Sequence, residues 1–411
     1  MGTDATFSGT DAAPLRSPVS ADAAAVRRLA ARLESSPVGV ELHLPSGERY
    51  TFGAGAPEFS IHARTARALP ALRTLDLGLI ADAYLDGDFD IDGNLLAMFE
   101  LRPYLSDIHP FQYLWRFVQP LVFGQVRTNA RAIRAHYEID PEFHLSFLGG
   151  VPCYTQGVFT RADESLEEAM RRKLDFCLEA CDLGPGSEVL EIGPGWGGFA
   201  EHAARRGINV TGVTNSPTSA RYMRSLGERL GLTWNIVESD FLAYRPDRRF
   251  DAVVIMGVIE HLPDYRAVLE RFHRVLRPGG RVYVDASAAR VKYTASSFIY
   301  RRIYPGNHSF FVLHDFLRAV ARTPFRLVHL EDDRVSYFHT FVRWAKNLET
   351  ARERAVRAGG EWNYRRFHLY LWGSAHCFLT DLLQCYRLVL ERPDGRTPAD
   401  MVRNAVSAPG S

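Results

Sequence analysis

The sequence predicts an α/β chain: buried parallel strands, each turning into a helix, preceded by a smaller α+β unit. Three observations carry this. The stretch Val189-Leu-Glu-Ile192 is a short apolar run closed by Gly193, Gly195, Gly197 and Gly198, which is how a buried strand turns tightly into a helix while its backbone approaches a ligand. Further apolar runs follow at Ile208–Val213, Trp234–Val237, Phe250–Met256 and Arg281–Val284, with a helical pattern over Phe199–Arg206. At 411 residues, 46% of them apolar, the chain can bury a full core and more than one domain.

The elements read in order as follows. Residues 1–20, rich in Ala, Ser, Thr, Asp and Pro, cannot bury enough apolar surface to order themselves. Ala23–Ser35 has helical apolar spacing. From Val38 the pattern alternates through Val40, Leu42 and Leu44 to a turn at Ser46-Gly47, then Tyr50–Phe52. A strand at Glu58–Ala63, a helix at Leu69–Leu77 and Leu79–Tyr84 lead to the acidic run Asp86–Gly93, read as a solvated turn because it lacks the distal glutamate of a calcium loop. Residues 94–135 carry an aromatic stripe (Phe99, Tyr104, Phe111, Tyr113, Trp115, Phe117, Phe123) with arginines at 102, 116, 127, 131 and 134. Such a stripe serves either as core or as an acyl-pocket or membrane-facing surface. The expected division is a disordered tail and helix over 1–35, a small α+β domain over 36–100, an aromatic helical linker over 101–135, the main α/β domain over 136–395 and a flexible tail over 396–411. A last helix is expected over Trp362–Leu390, with Trp372, Phe378 and Tyr386 on it.

A net charge of +1 argues against nucleic acid, whose phosphates demand a strong basic excess. Cys153, Cys177, Cys181, Cys377 and Cys385 have no ligand-pair spacing with histidines. They fit reduced, mostly buried thiols of a cytoplasmic protein, and no metal is expected. No apolar run approaches the roughly 18–20 residues of a membrane span, and no signal-peptide pattern opens the chain.

The second apolar run ends in Thr214-Asn215-Ser216, without the carboxylate that a nicotinamide-binding fold places at that tip. The third ends in Ser239-Asp240-Phe241, a carboxylate beside an aromatic. Together with the glycine turn, this series resembles the Rossmann-like S-adenosylmethionine (SAM) methyltransferases of class I. That resemblance implies Glu191 near the ribose, the turn Gly193-Gly195-Trp196-Gly197-Gly198 near the methionine end, Thr214 and Asn215 beside the cofactor, and Asp240 with Phe241 near the adenine.

Further segments narrow the resemblance. His136-Tyr137-Glu138, Tyr154-Thr155-Gln156-Gly157-Val158-Phe159, the Gly-Trp-Gly-Gly turn, Glu260-His261 and a late Tyr…Trp helix follow the order found in the cyclopropane fatty acid synthase family, which includes the mycolic acid cyclopropane synthases and fatty acyl methyltransferases. The similarity runs from about Val38 to Pro393. It implies methyl transfer from SAM to a cis alkene of a lipid acyl chain, with Tyr154 and Thr155 on SAM. It also implies Glu260 and Tyr337 in a cage around a bicarbonate that removes a proton before ring closure. An unsaturated acyl lipid at a membrane surface is the implied partner, and a homodimer stays open.

Three positions of the cage depart from the family. Gln156 stands where the family has cysteine, Asp285 where it has histidine, and Ser287 where it has an apolar residue. A cysteine of the last helix is matched by Ser374. A carboxylate in place of a cation makes the pocket less welcoming to an anion, by roughly several kcal/mol in a low-dielectric cleft. Bicarbonate binding is therefore expected to weaken. Asp285 is then either the base itself, raised by Glu260, or a loop cap at the sheet's edge, and the product is a ring or a methyl or methylene branch. A specialised small-molecule substrate and a non-catalytic SAM- or lipid-binding protein are the competing readings.

Overall fold

The computed structural model describes residues 21–107, 118, 139–291, 296–304 and 309–395. The tails, most of the aromatic stripe with its arginines 116, 127, 131 and 134, and the His136 segment lie outside them. The chain forms two compact units, residues 1–106 and 107–411.

The first unit contains α1 (Ala21–Leu33) and a four-stranded sheet of order β2-β1-β3-β4, formed by β1 (Gly39–His43), β2 (Arg49–Phe52), β3 (Pro57–Ala63) and β4 (Phe89–Gly93). The alternation read from the sequence is realised: Val40 and Leu42 are each 1% exposed, while Glu41 and His43 are only half-buried. The helix expected over Leu69–Leu77 is α2 (Ala68–Thr74), three residues shorter at its end, and the segment Leu79–Tyr84 lies in a second helix, α3 (Leu77–Leu85). Leu75 takes a left-handed conformation (φ 57°) that closes the first, and the Asp76 side chain accepts the Leu79 N–H at 2.9 Å to open the second. The acidic run is not a solvated turn throughout. Asp88 is buried and accepts hydrogen bonds from Thr65 at 2.6 Å and Arg67 at 3.2 Å, and the residues after it make β4. A short helix, α4 (Leu95–Phe99), follows.

The second unit is built on a seven-stranded sheet of order β10-β11-β9-β8-β5-β6-β7. The strands are β5 (Glu188–Ile192), β6 (Asn209–Thr214), β7 (Asn235–Glu238), β8 (Phe250–Met256), β9 (Leu276–Ala288), β10 (Arg326–Asp332) and β11 (Gln384–Glu391). β7, β6, β5, β8 and β9 are parallel neighbours; β11 and β10 complete the sheet antiparallel. β5 and β8 sit centrally, and Val189, Leu190, Val253 and Ile255 have no exposed surface. The helices are α5 (Pro141–Leu148), α6 (Leu166–Ala180), α7 (Gly198–Ala204), α8 (Pro217–Leu230), α9 (Tyr265–Val275), α10 (Leu313–Val320), α11 (Arg334–Thr350) and α12 (Arg352–Leu379), the last interrupted at Gly360 (φ 81°).

The helix expected over Trp362–Leu390 therefore ends at Leu379, and Tyr386 lies on a strand. Asp381 turns left-handed (φ 58°), and the Leu382 and Leu383 N–H groups return to the Cys377 carbonyl, which stops the helix. The run that follows pairs on both sides, with β9 and β10. Arg387, Leu388, Val389 and Leu390 are buried in succession, so its second half lacks the alternation that marks a half-exposed strand.

Candidate active site

The parallel strands deliver their carboxyl ends to one edge of the sheet, the place where open α/β sheets receive ligands. At the tip of β5 the chain turns through Gly193 (φ 71°), Gly195 (φ 52°) and Gly197 (φ 87°) into α7. Gly197 caps that helix in the left-handed region, and a Cβ on Gly198 would lie 2.5 Å from the Cys153 sulfur. Only glycine satisfies both demands. Beside this turn Glu191 is 5% exposed, and its Oε2 has no hydrogen-bond partner. Burial pushes its carboxyl up to about 8, and the unpartnered oxygen is able to accept a hydrogen bond.

The other residues expected around the cofactor divide into two groups. Asn215 is half-buried at the tip of β6 and Asp240 half-buried beyond β7, where one carboxylate oxygen accepts the Leu242 N–H at 2.8 Å. Thr214, Trp196 and Phe241 are instead built into the protein. The Thr214 hydroxyl accepts the Ser216 N–H at 3.1 Å. The Trp196 ring is 1% exposed between His144, at 5.2 Å, and Tyr222, at 5.4 Å. Phe241 joins the core against Phe272 at 5.6 Å. Phe241, expected near the adenine, is 5% exposed in that core, next in the chain to Asp240.

Residues 153–159 form a strap stitched across this edge. Thr155 donates to Asp285 Oδ2 at 3.3 Å, and Gln156 Nε2 donates to Asp333 Oδ2 at 3.2 Å. The Gly157 N–H reaches the Thr340 hydroxyl at 2.9 Å and the Phe159 N–H reaches Ser336 at 3.0 Å. A Cβ on Gly257, just past β8, would meet the Thr155 methyl at 2.4 Å. Tyr154 packs against Trp344 at 5.4 Å and His144 at 5.9 Å.

The structure brings Glu260, Asp285, Gln156 and Tyr337 into one buried neighbourhood. Glu260 is 4% exposed; its Oε1 accepts the Ser287 N–H and hydroxyl, both at 2.8 Å, while Oε2 has no partner. Burial pushes its carboxyl up to about 7, against the pull of those bonds. Asp285 is not a loop cap: it lies within β9, fully buried. Its counter-ion is Lys173, whose Nζ stands 3.4 Å from Asp285 Oδ2 and also donates to Thr155. Burial raises the Asp285 carboxyl and Lys173 draws it back. A second pair, Arg387 and Asp333 at 3.1 Å, is also buried, with the Asp333 carboxyl pushed up to about 6 by burial.

Tyr337 belongs to an aromatic wall, with Phe378 at 4.6 Å, Phe341 at 4.7 Å and Trp344 at 6.2 Å. Tyr370 extends that wall from α12. Burial drives the Tyr337 hydroxyl well above its ordinary range, with Glu260 and Asp285 adding to the push. His261 is held neutral by burial, down to about 4, with its ring 5.6 Å from that of Tyr304. Ser374 is buried one helical turn from Cys377, and all five cysteines are free thiols. No metal-binding cluster of His, Cys, Asp or Glu occurs among the described residues.

Sequence reasoning missed Lys173 and the Arg387–Asp333 pair. A signal for the first was present: Ala169, Met170, Lys173, Leu174 and Cys177 follow helical spacing, so Lys173 stands on the apolar face of α6, and all five are buried.

The model of the family described as mycolic acid cyclopropane synthetase matches residues 125–388. The chain belongs to this family. It is a SAM-dependent methyltransferase with the Rossmann-like α/β fold of class I. Relatives within reach include a probable fatty acid methyltransferase of Pseudomonas putida, 26% identical over 375 residues, covering 88% of this chain and 94% of that one. A sphingolipid C9-methyltransferase of Candida albicans is 26% identical over 336 residues, 76% of this chain, which spans 65% of that protein's length. Among solved structures, a mycolic acid cyclopropane synthase complexed with SAH and CTAB shares the fold, with a TM-score of 0.58 at 22% identity over 64% of this chain and 98% of that one.

Proposed function

We propose that this family member transfers the methyl group of SAM to an alkene carbon of an unsaturated acyl lipid met at a membrane surface. Glu191 with its unpartnered oxygen, the glycine turn, the strap residues Tyr154 and Thr155, Asn215 and Asp240 would hold SAM, which supplies an electrophilic methyl when bound. Trp196, Thr214 and Phe241 hold that cradle in shape from beneath. The names of the relatives support a lipid substrate. Among the described residues no helix is long and apolar enough to cross a membrane.

The observation that carries the reading is the adjacency of two things: a buried carboxylate with an unpartnered oxygen, Glu260, and the aromatic wall of Tyr337, Phe341, Phe378 and Tyr370. An alkene is a poor nucleophile, and adding a methyl cation to it leaves a carbocation. The chain must therefore align the acyl segment, exclude water and stabilise positive charge. Buried side chains and ring faces meet the last two demands.

The test is purified protein, SAM and vesicles of unsaturated phospholipid. SAH release matched by acyl chains heavier by one CH2 supports the reading, and NMR of the product then separates ring from branch. SAM cleavage absent on every unsaturated lipid offered would reject it.

A further inference from the structure

The family resemblance implies a bicarbonate in the cage, and the side chains present do not suit one. An anion with three oxygens needs hydrogen-bond donors or a free cation. Each of the three cage positions Gln156, Asp285 and Glu260 leaves a buried acceptor without a partner: Gln156 Oε1, Asp285 Oδ1 and Glu260 Oε2. The cation is spent, because Lys173 and Asp285 face each other with both side chains fully buried. An added anion would meet two carboxylates in a low-dielectric site, with the nearby cation already paired to one of them.

We propose that Glu260 itself accepts the proton released in the reaction, without bicarbonate, and that Lys173 holds Asp285 as a fixed charge taking no part in proton transfer. This rests on the function proposed above. Asp285 and Ser287 are two apart on β9, so their side chains share one face of the sheet. Ser287 grips one oxygen of Glu260 with two donors and leaves the other unengaged. Asp285 is tied, through Oδ2, to Lys173 of α6 and Thr155 of the strap. Both carboxylates push up the Tyr337 hydroxyl, but Glu260 is the one that also pushes up that of Tyr370, further along the aromatic wall.

The assigned step balances without any further reactant. After methyl addition the substrate is a carbocation. A C–H bond breaks, and its electron pair closes a ring or forms a new C=C bond. The proton passes to Glu260 Oε2 and later to solvent. No electrons are gained or lost.

The experiment uses the full chain in buffer stripped of carbon dioxide, with and without added 13C-bicarbonate. Turnover on unsaturated phospholipid is expected to be the same in both, and the 13C resonance of bicarbonate to keep its line width when the protein and SAH are added. Glu260→Gln should lose about 100-fold or more in turnover, the scale of a lost general base, with SAM affinity unchanged. The paired variant Lys173→Met with Asp285→Asn, which removes both charges together, should keep turnover within about tenfold.

Stimulation by bicarbonate, broadening of its resonance, or an undiminished Glu260→Gln enzyme would overturn the assignment while leaving lipid methylation intact. Loss of turnover in the paired variant comparable to that of Glu260→Gln would return the proton to Asp285. Absence of turnover on every lipid would instead fall on the function proposed above, and the bicarbonate resonance would still decide whether the cage takes that ion.

Discussion

The two halves of the large sheet do their work by different means. On the β5–β6–β7 side the site is made of backbone: a turn of left-handed glycines, loop N–H groups satisfied nearby, and one buried carboxylate, Glu191, without a partner. On the β8–β9–β11 side it is made of side-chain charge: Glu260, Asp285 and Asp333 buried with two cations, Lys173 and Arg387. Backbone geometry holds a ligand shared by a whole fold class. A network of buried charges can be rewired by a few substitutions, and that is where the resemblance drawn from the sequence places this chain's departures, Gln156, Asp285 and Ser287.

The sharpest way to break the comparison is to unbalance the charged half. Lys173→Met leaves Asp285 buried without its counter-ion, which should cost about 3–5 kcal/mol of folding stability, whereas removing both charges together should recover most of that loss. Chemical denaturation of the two variants measures it. The loss should also depend on pH with a definite sign. Burial already raises the Asp285 carboxyl, so stability linked to its protonation is present in acid and disappears as pH rises through the folded value. Lys173→Met should extend that decline to higher pH. A Lys173→Met protein as stable as its parent would show that the pair balances nothing.

The backbone half should respond in the opposite direction to loss of its one charge. Glu191→Gln removes the ligand acceptor and should weaken SAM binding about 10- to 100-fold, about 1.4–2.8 kcal/mol, by calorimetry. The same change should stabilise the ligand-free protein. The carboxyl is raised from its ordinary 4.5 to about 8, so the stability that comes from keeping it protonated is complete below about 4.5 and lost as pH climbs through about 8. A neutral glutamine avoids that loss. The gain should vanish near pH 4 and reach the order of a few kcal/mol at pH 9, read as a rise in melting temperature. Binding sites often keep such a cost.

The same contrast explains what the sequence could disclose. The glycine turn, the five parallel strands and Glu191 are neighbours along the chain, so a local pattern of apolar runs and glycines announces them. Asp285 was visible as an odd residue in its motif, but its meaning depended on Thr155, 130 residues away, and on a lysine from a third element. Gln156 meets Asp333 at a separation of 177 residues. No periodicity encodes such pairs. β11 escapes a local reading for a related reason: its apolar run Leu388–Leu390 fits a core helix as well as a strand, and its partners on both sides decide between them.

The finest discrimination between the halves comes from Ser287, which touches only the charged one. Turnover that depends on an ionised Glu260 should rise with pH through about 7, the value to which burial pushes this carboxyl, and level off above it. The titratable groups around Glu260 are Asp285 on β9, Cys385 on β11, Tyr337 on α11 and Tyr370 on α12. The tyrosines and the thiol are raised far above this range, and Asp285 is paired with Lys173. Ser287→Ala deletes the hydroxyl bond to the charged Glu260 and keeps the backbone N–H bond. A hydrogen bond to a charged group is worth about 1.5–3 kcal/mol, so the limb should move up by about one to two pH units. Turnover near neutrality should fall roughly tenfold by that shift, while the plateau in alkali and the affinity for SAM stay where they were. A drop in the plateau with no movement of the limb would mean that the hydroxyl only fills space and that another group governs the proton.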